Sequence, residues 1–302
     1  MSIRFSAALL ALLVAAPAAA DVRVVASLPA LGSIAREVVG SNGSVTVLAP
    51  AEQDPHFADG KPSMILALNR ADVLFFAGLG LEAGWLPSIV TASRNAGIQP
   101  GRQGSIEAAS MIPLLETGVK ADRSLGDVHP GGNPHFWFDP RRVRTVAVAF
   151  GEKLAALDAK NAAAYRANAA RFAAELDDRI PKWKASMAPY EGRSLVPFHK
   201  SLVYLEDWLG LRELGTIEPL PGIAPSPSHL AGLILRIRET KPAPLVVAEP
   251  WHNRRTAETV AEKGGVKFVR LPGDVGSVPG KDSYVAHMDE LLGRLRAGLE
   301  GK

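Results

Sequence analysis

Short β-branched runs alternate with stretches of helical periodicity along most of this chain, and few folds accommodate that alternation. Val22-Arg23-Val24-Val25-Ala26, Ser44-Val45-Thr46-Val47-Leu48 and Asp72-Val73-Leu74-Phe75-Phe76-Ala77 read as buried strands, with helices filling about 31–39, 62–69 and 81–94. Strands separated by helices imply a parallel α/β sheet with right-handed crossovers. A second block of the same kind runs from about Ser194 to the C-terminus. Its strands are expected at Leu195-Val196-Pro197-Phe198, around Glu213 to Ile217, at Pro244-Leu245-Val246-Val247-Ala248 and at Val266-Lys267-Phe268-Val269-Arg270-Leu271. Ser226-Pro227 is a cap and first-turn pair for the helix running through Leu235, and Gly264-Gly265 is a stop before Val266.

Between the blocks Tyr165, Phe172, Leu176, Ile180, Trp183 and Met187 recur at helical spacing behind Asp158, a candidate cap. A continuous helix over 159–187 would span ~43 Å, with Pro181 as a place to kink, and would pack across both blocks as a spine. No glycine-rich hinge interrupts it, which argues against a large closing motion. The expected organisation is an N-terminal α/β lobe over 21–157, a linking helix over 158–190 and a C-terminal α/β lobe over 191–302. Each lobe is Rossmann-like, and ligands of such sheets bind in the crevice beyond the strand carboxyl ends.

Residues 1–20 carry Arg4, an apolar run from Ala7 to Ala15 and the small residues Ala18-Ala19-Ala20, the marks of an export signal cut after Ala20. The apolar run is too short for a membrane span and is broken at Pro17. The sequence has no cysteine, so a lipid-anchored cysteine, disulfides and thiolate metal sites are all excluded. A soluble periplasmic protein is the expectation. Beyond the signal, 33 Lys and Arg stand against 31 Asp and Glu, a net charge of +2 spread along the chain. With no basic stripe interleaved with aromatic residues, nucleic acid is not an expected ligand.

Three histidines stand in stiff, apolar-flanked peptides: His56 in Asp54-Pro55-His56-Phe57, His135 in Asn133-Pro134-His135-Phe136-Trp137 and His199 in Pro197-Phe198-His199-Lys200. Proline fixes its own φ and restrains the residue before it, so such loops aim a ring at little entropic cost. Imidazole nitrogen suits zinc, copper, nickel and iron better than calcium or magnesium, and the three together point to a transition metal.

These peptides resemble those of the periplasmic zinc- and manganese-binding substrate-binding proteins of ABC importers, the ZnuA/TroA-like cluster. Asp54-Pro55-His56 matches the family's first histidine peptide. Pro134-His135-Phe136-Trp137-Phe138-Asp139-Pro140 matches the second, the most specific of the three, and Phe198-His199-Lys200-Ser201 the third. The resemblance covers nearly the whole chain after the signal. It implies two α/β lobes joined by a backbone helix, a metal held between them, and delivery to a membrane permease. A monomer is expected, with a periplasmic metallochaperone as a further partner.

The resemblance also implies an acidic fourth ligand in a late loop. Asp274, in Leu271-Pro272-Gly273-Asp274-Val275-Gly276-Ser277, is the match; Glu249 or water are the alternatives. Many zinc members carry a long His- and acid-rich loop before the second motif. Here 117–133 is short and holds only His129, which could capture or relay metal at the rim.

Three imidazoles and one carboxylate form a tetrahedral set that zinc takes readily, whereas manganese prefers more oxygen. Each ring needs its other nitrogen oriented, and Asp54, Asp139 and Glu249 are candidates by position. The expected function is a zinc receptor without catalysis, the zinc being cargo rather than a catalytic cofactor. Alternatives are a receptor of the same type for manganese or another divalent transition metal, an adhesin, and a zinc-dependent hydrolase. The last lacks a His-Glu-x-x-His helix and a Gly-x-Ser-x-Gly elbow. His229 is explained by a local bond in its helical first turn, and His252 and His287 read as surface residues. Trp85, Trp137, Trp183, Trp208 and Trp251 read as packing residues, with Trp137 the one beside a proposed ligand.

Overall fold

Val22–Ala26 (β1) buries every residue except Arg23, whose guanidinium reaches Asp72 at 2.9 Å on the rim of the sheet. The computed structural model that contains this strand describes residues 21–118, 129–220 and 222–301; the expected export signal lies outside them. After β1 come Pro29–Val39 (α1), Gly43–Val47 (β2), Pro62–Arg70 (α2), Val73–Phe76 (β3), Leu86–Ala92 (α3) and Ser105–Glu107 (β4). Two helices, Pro140–Leu157 (α4) and Ala162–Met187 (α5), lead into the second half. There Ser194–Pro197 (β5), Val203–Leu209 (α6), Arg212–Glu213 (β6), Pro227–Glu239 (α7), Leu245–Ala248 (β7), Arg254–Gly264 (α8), Phe268–Arg270 (β8) and Tyr284–Glu300 (α9) follow.

The strands form two parallel sheets of the same topology, ordered β2-β1-β3-β4 and β6-β5-β7-β8. In each, the first strand pairs with both the second and the third, Val24 lying in register with Val45 and Val73, and Leu195 with Glu213 and Leu245. The chain reverses its direction across the sheet at those central strands, and the crevice beyond their carboxyl ends is where such folds bind ligands.

α5 is the expected spine, with differences at its start. Asp158 does not cap it. That residue ends α4, and its carboxylate accepts from Asn161 Nδ2 and Tyr165 Oη, while a 3-10 turn at Ala159–Asn161 intervenes. The helix then runs unbroken through Pro181. It is tied to the first half by Asn168 Nδ2 donating to the Val38 carbonyl at 3.1 Å, and to the second half by Trp183 Nε1 donating to Asp289 at 2.7 Å. A further tie crosses at the start of α9, where Tyr284 N donates to Ser33 Oγ and Tyr284 Oη to the Trp137 carbonyl. Among the described residues no helix is long and apolar enough to cross a membrane.

One buried group in α6 opposes folding at high pH. Glu206 is 7% exposed, its Oε1 has no hydrogen-bond partner, and burial together with nearby Glu213 pushes its pKa up to about 8 against the opposing pull of Lys200. The unfolded chain ionises this group near 4.5, so the native state holds an extra proton between the two values, and stability is lost as pH rises through them. Glu206→Gln, which cannot ionise, is therefore expected to come close to the parent near pH 4.5 and to exceed it by several kcal/mol, up to about 5, above pH 8, read by urea unfolding at both pH values. An equal difference at the two pH values would refute the assignment.

Candidate metal centre

His56 lies in the segment after β2, His135 between β4 and α4, and His199 directly after β5, so loops from both sheets supply the rings. All three are buried, at 8%, 3% and 6% exposure. Their ring centroids form a nearly equilateral triangle, with His56–His135 at 5.3 Å, His56–His199 at 5.2 Å and His135–His199 at 5.3 Å. One nitrogen from each ring falls within 4.8 Å of the other two, and this is the one such cluster among the described residues.

Two of the rings are aimed by the same local device. Asp54 Oδ1 accepts from the His56 amide at 2.9 Å and from His56 Nδ1 at 2.8 Å; Asn133 Oδ1 accepts from the His135 amide and from His135 Nδ1, both at 3.0 Å. In each peptide the residue two before the histidine folds back over the proline and holds both donors. Asn133 has its own orientation fixed, since its Nδ2 donates to the Lys200 carbonyl at 2.9 Å. His199 Nδ1 is held at 2.9 Å by Glu218 Oε2, a residue that sequence position did not suggest. Each Nδ1 thus faces an oxygen that can only accept, which places the proton there and leaves the Nε2 lone pair turned inward.

The electrostatics match. Burial, and then the neighbouring His199 and His56 rings, hold the His135 pKa well below the usual imidazole value, which favours the neutral ligand form. Asp54 stays below the ordinary carboxylate range because its bonds from His56 outweigh its burial.

The other carboxylates suggested by position do different work. Asp139 is fully buried, accepts from the Arg141 amide at 2.9 Å as the cap of α4, and pairs with Arg141 and Arg142. Glu249 is engaged by Ser201 Oγ and lies 3.2 Å from His252 Nε2. Asp274 is buried in the segment between β8 and α9, outside the converged set of three, with Oδ1 accepting from the Val275 amide at 2.7 Å. Burial pushes its pKa up to about 7, only partly offset by the Val275 and Ala30 amides.

Of the two histidines expected at the surface, His287 is buried and His252 is half-buried with its side chain largely covered. His252 stacks on Phe198 with ring centroids 4.5 Å apart and 9° between planes, and His287 is 1% exposed inside α9. His229 keeps its amide bond to Ser226 Oγ and adds one from the ring to the Thr216 carbonyl. His129 does reach the site: its Nε2 lies 3.3 Å from His56 Nε2 and its Nδ1 lies 2.9 Å from the Leu79 carbonyl. Trp137 packs against His135 with centroids 5.3 Å apart.

The chain has counterparts among known proteins. A family model described as "ZnuA: Zinc-uptake complex component A periplasmic" matches residues 24–298. This chain belongs to the ZnuA family. With that family it is a metal-binding substrate-binding protein of ABC importers, a transport component. The high-affinity zinc uptake protein ZnuA of Yersinia pestis is 28% identical over 290 residues, 90% of this chain and 89% of that one. The manganese-binding lipoprotein MntA of Halalkalibacterium halodurans is 25% identical over 285 residues, 92% of this chain and 88% of its own. Among solved structures, FpvC of Pseudomonas aeruginosa in complex with Mn²⁺ shares the fold at a TM-score of 0.77 and 24% identity, covering 93% of this chain and 99% of FpvC. ZnuA-family relatives are thus named for different metals at similar identity.

Proposed function

We propose that this protein is a periplasmic receptor that binds zinc and delivers it to the membrane permease of an ABC importer. The observation that carries the reading is the triangle of rings, each locked at Nδ1 by Asp54, Asn133 or Glu218 with its lone pair inward. Imidazoles bound to a tetrahedral ion at about 2.0–2.1 Å would have centroids about 5.2 Å apart, and the three observed separations are 5.2 to 5.3 Å. His56, His135 and His199 are the ligands of this reading, with Asp274 the carboxylate that completes the set on turning from its amide. Three nitrogen donors favour zinc over manganese, which takes oxygen-rich octahedral sites. The same reading includes lobes divided at 157 and 191, export with cleavage after Ala20, action as a monomer, and loading by a periplasmic metallochaperone.

Calorimetric titration of the metal-free protein with zinc and with manganese tests the choice of metal. One tight zinc site with manganese at least about 100-fold weaker supports it; equal or tighter manganese binding would move the protein to the manganese receptors. Turnover on ester or peptide substrates by the zinc complex would instead support a hydrolase with an open coordination position.

Protons compete with the metal for the inward lone pairs. Zinc affinity is expected to stay level between pH 8 and about 7 and to fall in more acidic solution, His135 being the last of the rings to be lost because burial and the neighbouring rings hold its pKa well below the ordinary imidazole value of about 6.5. Affinity unchanged from pH 7.5 to about 5 counts against three histidine ligands.

A further inference from the structure

The loops that carry His135 and His199 are fastened to each other by protein bonds alone. Asn133 uses every polar group it has in doing so. Its Oδ1 holds His135, its Nδ2 donates to the Lys200 carbonyl at 2.9 Å and to Glu116 Oε2 at 3.3 Å, its amide donates to the Leu115 carbonyl at 2.9 Å, and its own carbonyl accepts from Tyr204 Oη at 2.7 Å. Lys200 follows His199 directly and pairs through Nζ with Glu116 at 2.5 Å. One residue therefore touches the ring of one proposed ligand and the backbone next to another.

Tyr204, in the first turn of α6, anchors this staple. It is fully buried, and its hydroxyl is used in both senses, donating to the Asn133 carbonyl and accepting from the Leu115 amide at 3.2 Å. The ring is fixed as well, since the Arg142 guanidinium carbon lies 4.5 Å from its centroid and that guanidinium is tied to Asp139. The position of the hydroxyl thus sets where the Asn133 backbone can lie. His56 is held differently: Trp85 Nε1 donates to the Pro55 carbonyl at 2.9 Å and Gln53 Nε2 to the Phe57 carbonyl at 2.8 Å, both within the first half of the chain. The His135–His199 edge of the triangle, 5.3 Å between centroids, is built into the protein by a direct bridge.

We propose that Tyr204 is a positioning residue of the metal site, acting through Asn133 to keep His135 and His199 at ligating distance before an ion arrives. This rests on the receptor reading above and deepens it. Rings ordered in advance cost little to order on binding, and a bound ion leaves more slowly when its ligands cannot drift apart.

Tyr204→Phe keeps the ring and its contact with Arg142 and deletes the hydroxyl alone. Zinc affinity is expected to fall about 10-fold, the low end of what groups that orient a ligand carry. The loss should lie in the release rate, read by stopped flow with a chelator. Cobalt(II) loaded in place of zinc should show shifted d–d bands at an intensity that still marks a tetrahedral ion. In an Asn133→Ala background the same change should leave affinity unaltered within about twofold, because the route is already cut. Tyr165→Phe is the control: that ring is equally buried and its hydroxyl donates to Asp158 at 2.7 Å, at the far end of α4, so it should lower the urea midpoint and leave zinc release as in the parent. Glu116→Ala loosens the staple at a half-buried side chain and should speed release about two- to threefold, which keeps the test open should Tyr204→Phe not fold.

Parent-like zinc release in Tyr204→Phe and Glu116→Ala, with stability alone lowered, would overturn the proposal and leave the receptor reading intact. So would an undiminished effect of Tyr204→Phe in the Asn133→Ala background, or an equal affinity loss in Tyr165→Phe. A parent chain that takes up no zinc would overturn both.

Discussion

Replacing His135 by alanine is expected to lower zinc affinity by more than about 100-fold, above the 10- to 100-fold carried by groups that merely orient a ligand. The ring is 3% exposed, stands 5.3 Å from both His56 and His199 between centroids, and is fixed at its amide and Nδ1 by Asn133. Neither Asp139 nor Glu249 can substitute, since Asp139 is committed to two arginines and Glu249 to Ser201 and His252. The effect should appear twice. Calorimetry reads the affinity, and melting with and without zinc reads the linked stabilisation, which grows with the logarithm of the ratio of free ion to Kd and fades when Kd rises above the zinc concentration used. Metal-free protein should melt within a few degrees of the parent, because the change removes a ring that burial already penalises when charged. Zinc binding retained within a factor of about ten would remove His135 from the site.

Asp139→Ala should unfold the metal-free protein more readily by about 3–4 kcal/mol, without that loss being recovered at any zinc concentration that also saturates the parent. The carboxylate is fully buried and serves three amide or guanidinium groups at the start of α4, the Arg141 amide among them. Arg142 is only 12% exposed and lies 4.5 Å over the Tyr204 ring, so removing its partner leaves a largely buried cation. Breaking one side of such a pair costs 3–5 kcal/mol in comparable cases, and the nearby Asp207, 3.5 Å from Arg142, offsets a part. Asp139→Asn keeps the cap and loses the charge, and should cost about half as much. Urea unfolding measures both; a loss below about 1 kcal/mol for alanine would show that Asp207 takes over the pairing.

The strands β1, β3, β5 and β7 were readable because a strand covered on both faces must be a short continuous apolar run, and the edge strand β2 because Val45, Thr46 and Val47 are β-branched. β4 was not: three residues, Ser105 to Glu107, pair along β3 on a single edge and offer no periodicity. α4 escaped because its opening Asp139-Pro140 doubles as the end of the second histidine motif, although Val143, Val146, Phe150 and Leu154 repeat at helical spacing and are all buried. The helix expected over 81–94 begins only at Leu86, since the preceding residues form turns closed by the Leu81, Ala83 and Trp85 amides on the Gly78, Gly80 and Glu82 carbonyls.

Of the site, the three histidines and Asp54 were visible as local peptides. Asn133 was visible in principle, because it stands before His135 as Asp54 stands before His56. Glu218 and Leu79 were not, lying 19 residues from His199 and 50 from His129 and joined to them only by the packed fold. His252 and His287 misled for the same reason: local sequence does not say what will pack over a polar side chain.

Trp137 was described above as a neighbour of His135, 5.3 Å from it, with its indole nitrogen 3.3 Å from the Gly273 carbonyl of the Asp274 segment. Its ring therefore touches both the proposed metal ligands and the segment that supplies the carboxylate. Such an indole is a built-in optical reporter. Loading with a diamagnetic ion perturbs its emission through the ring and carbonyl it touches, copper quenches it outright, and rates of uptake and release become measurable in real time without a label.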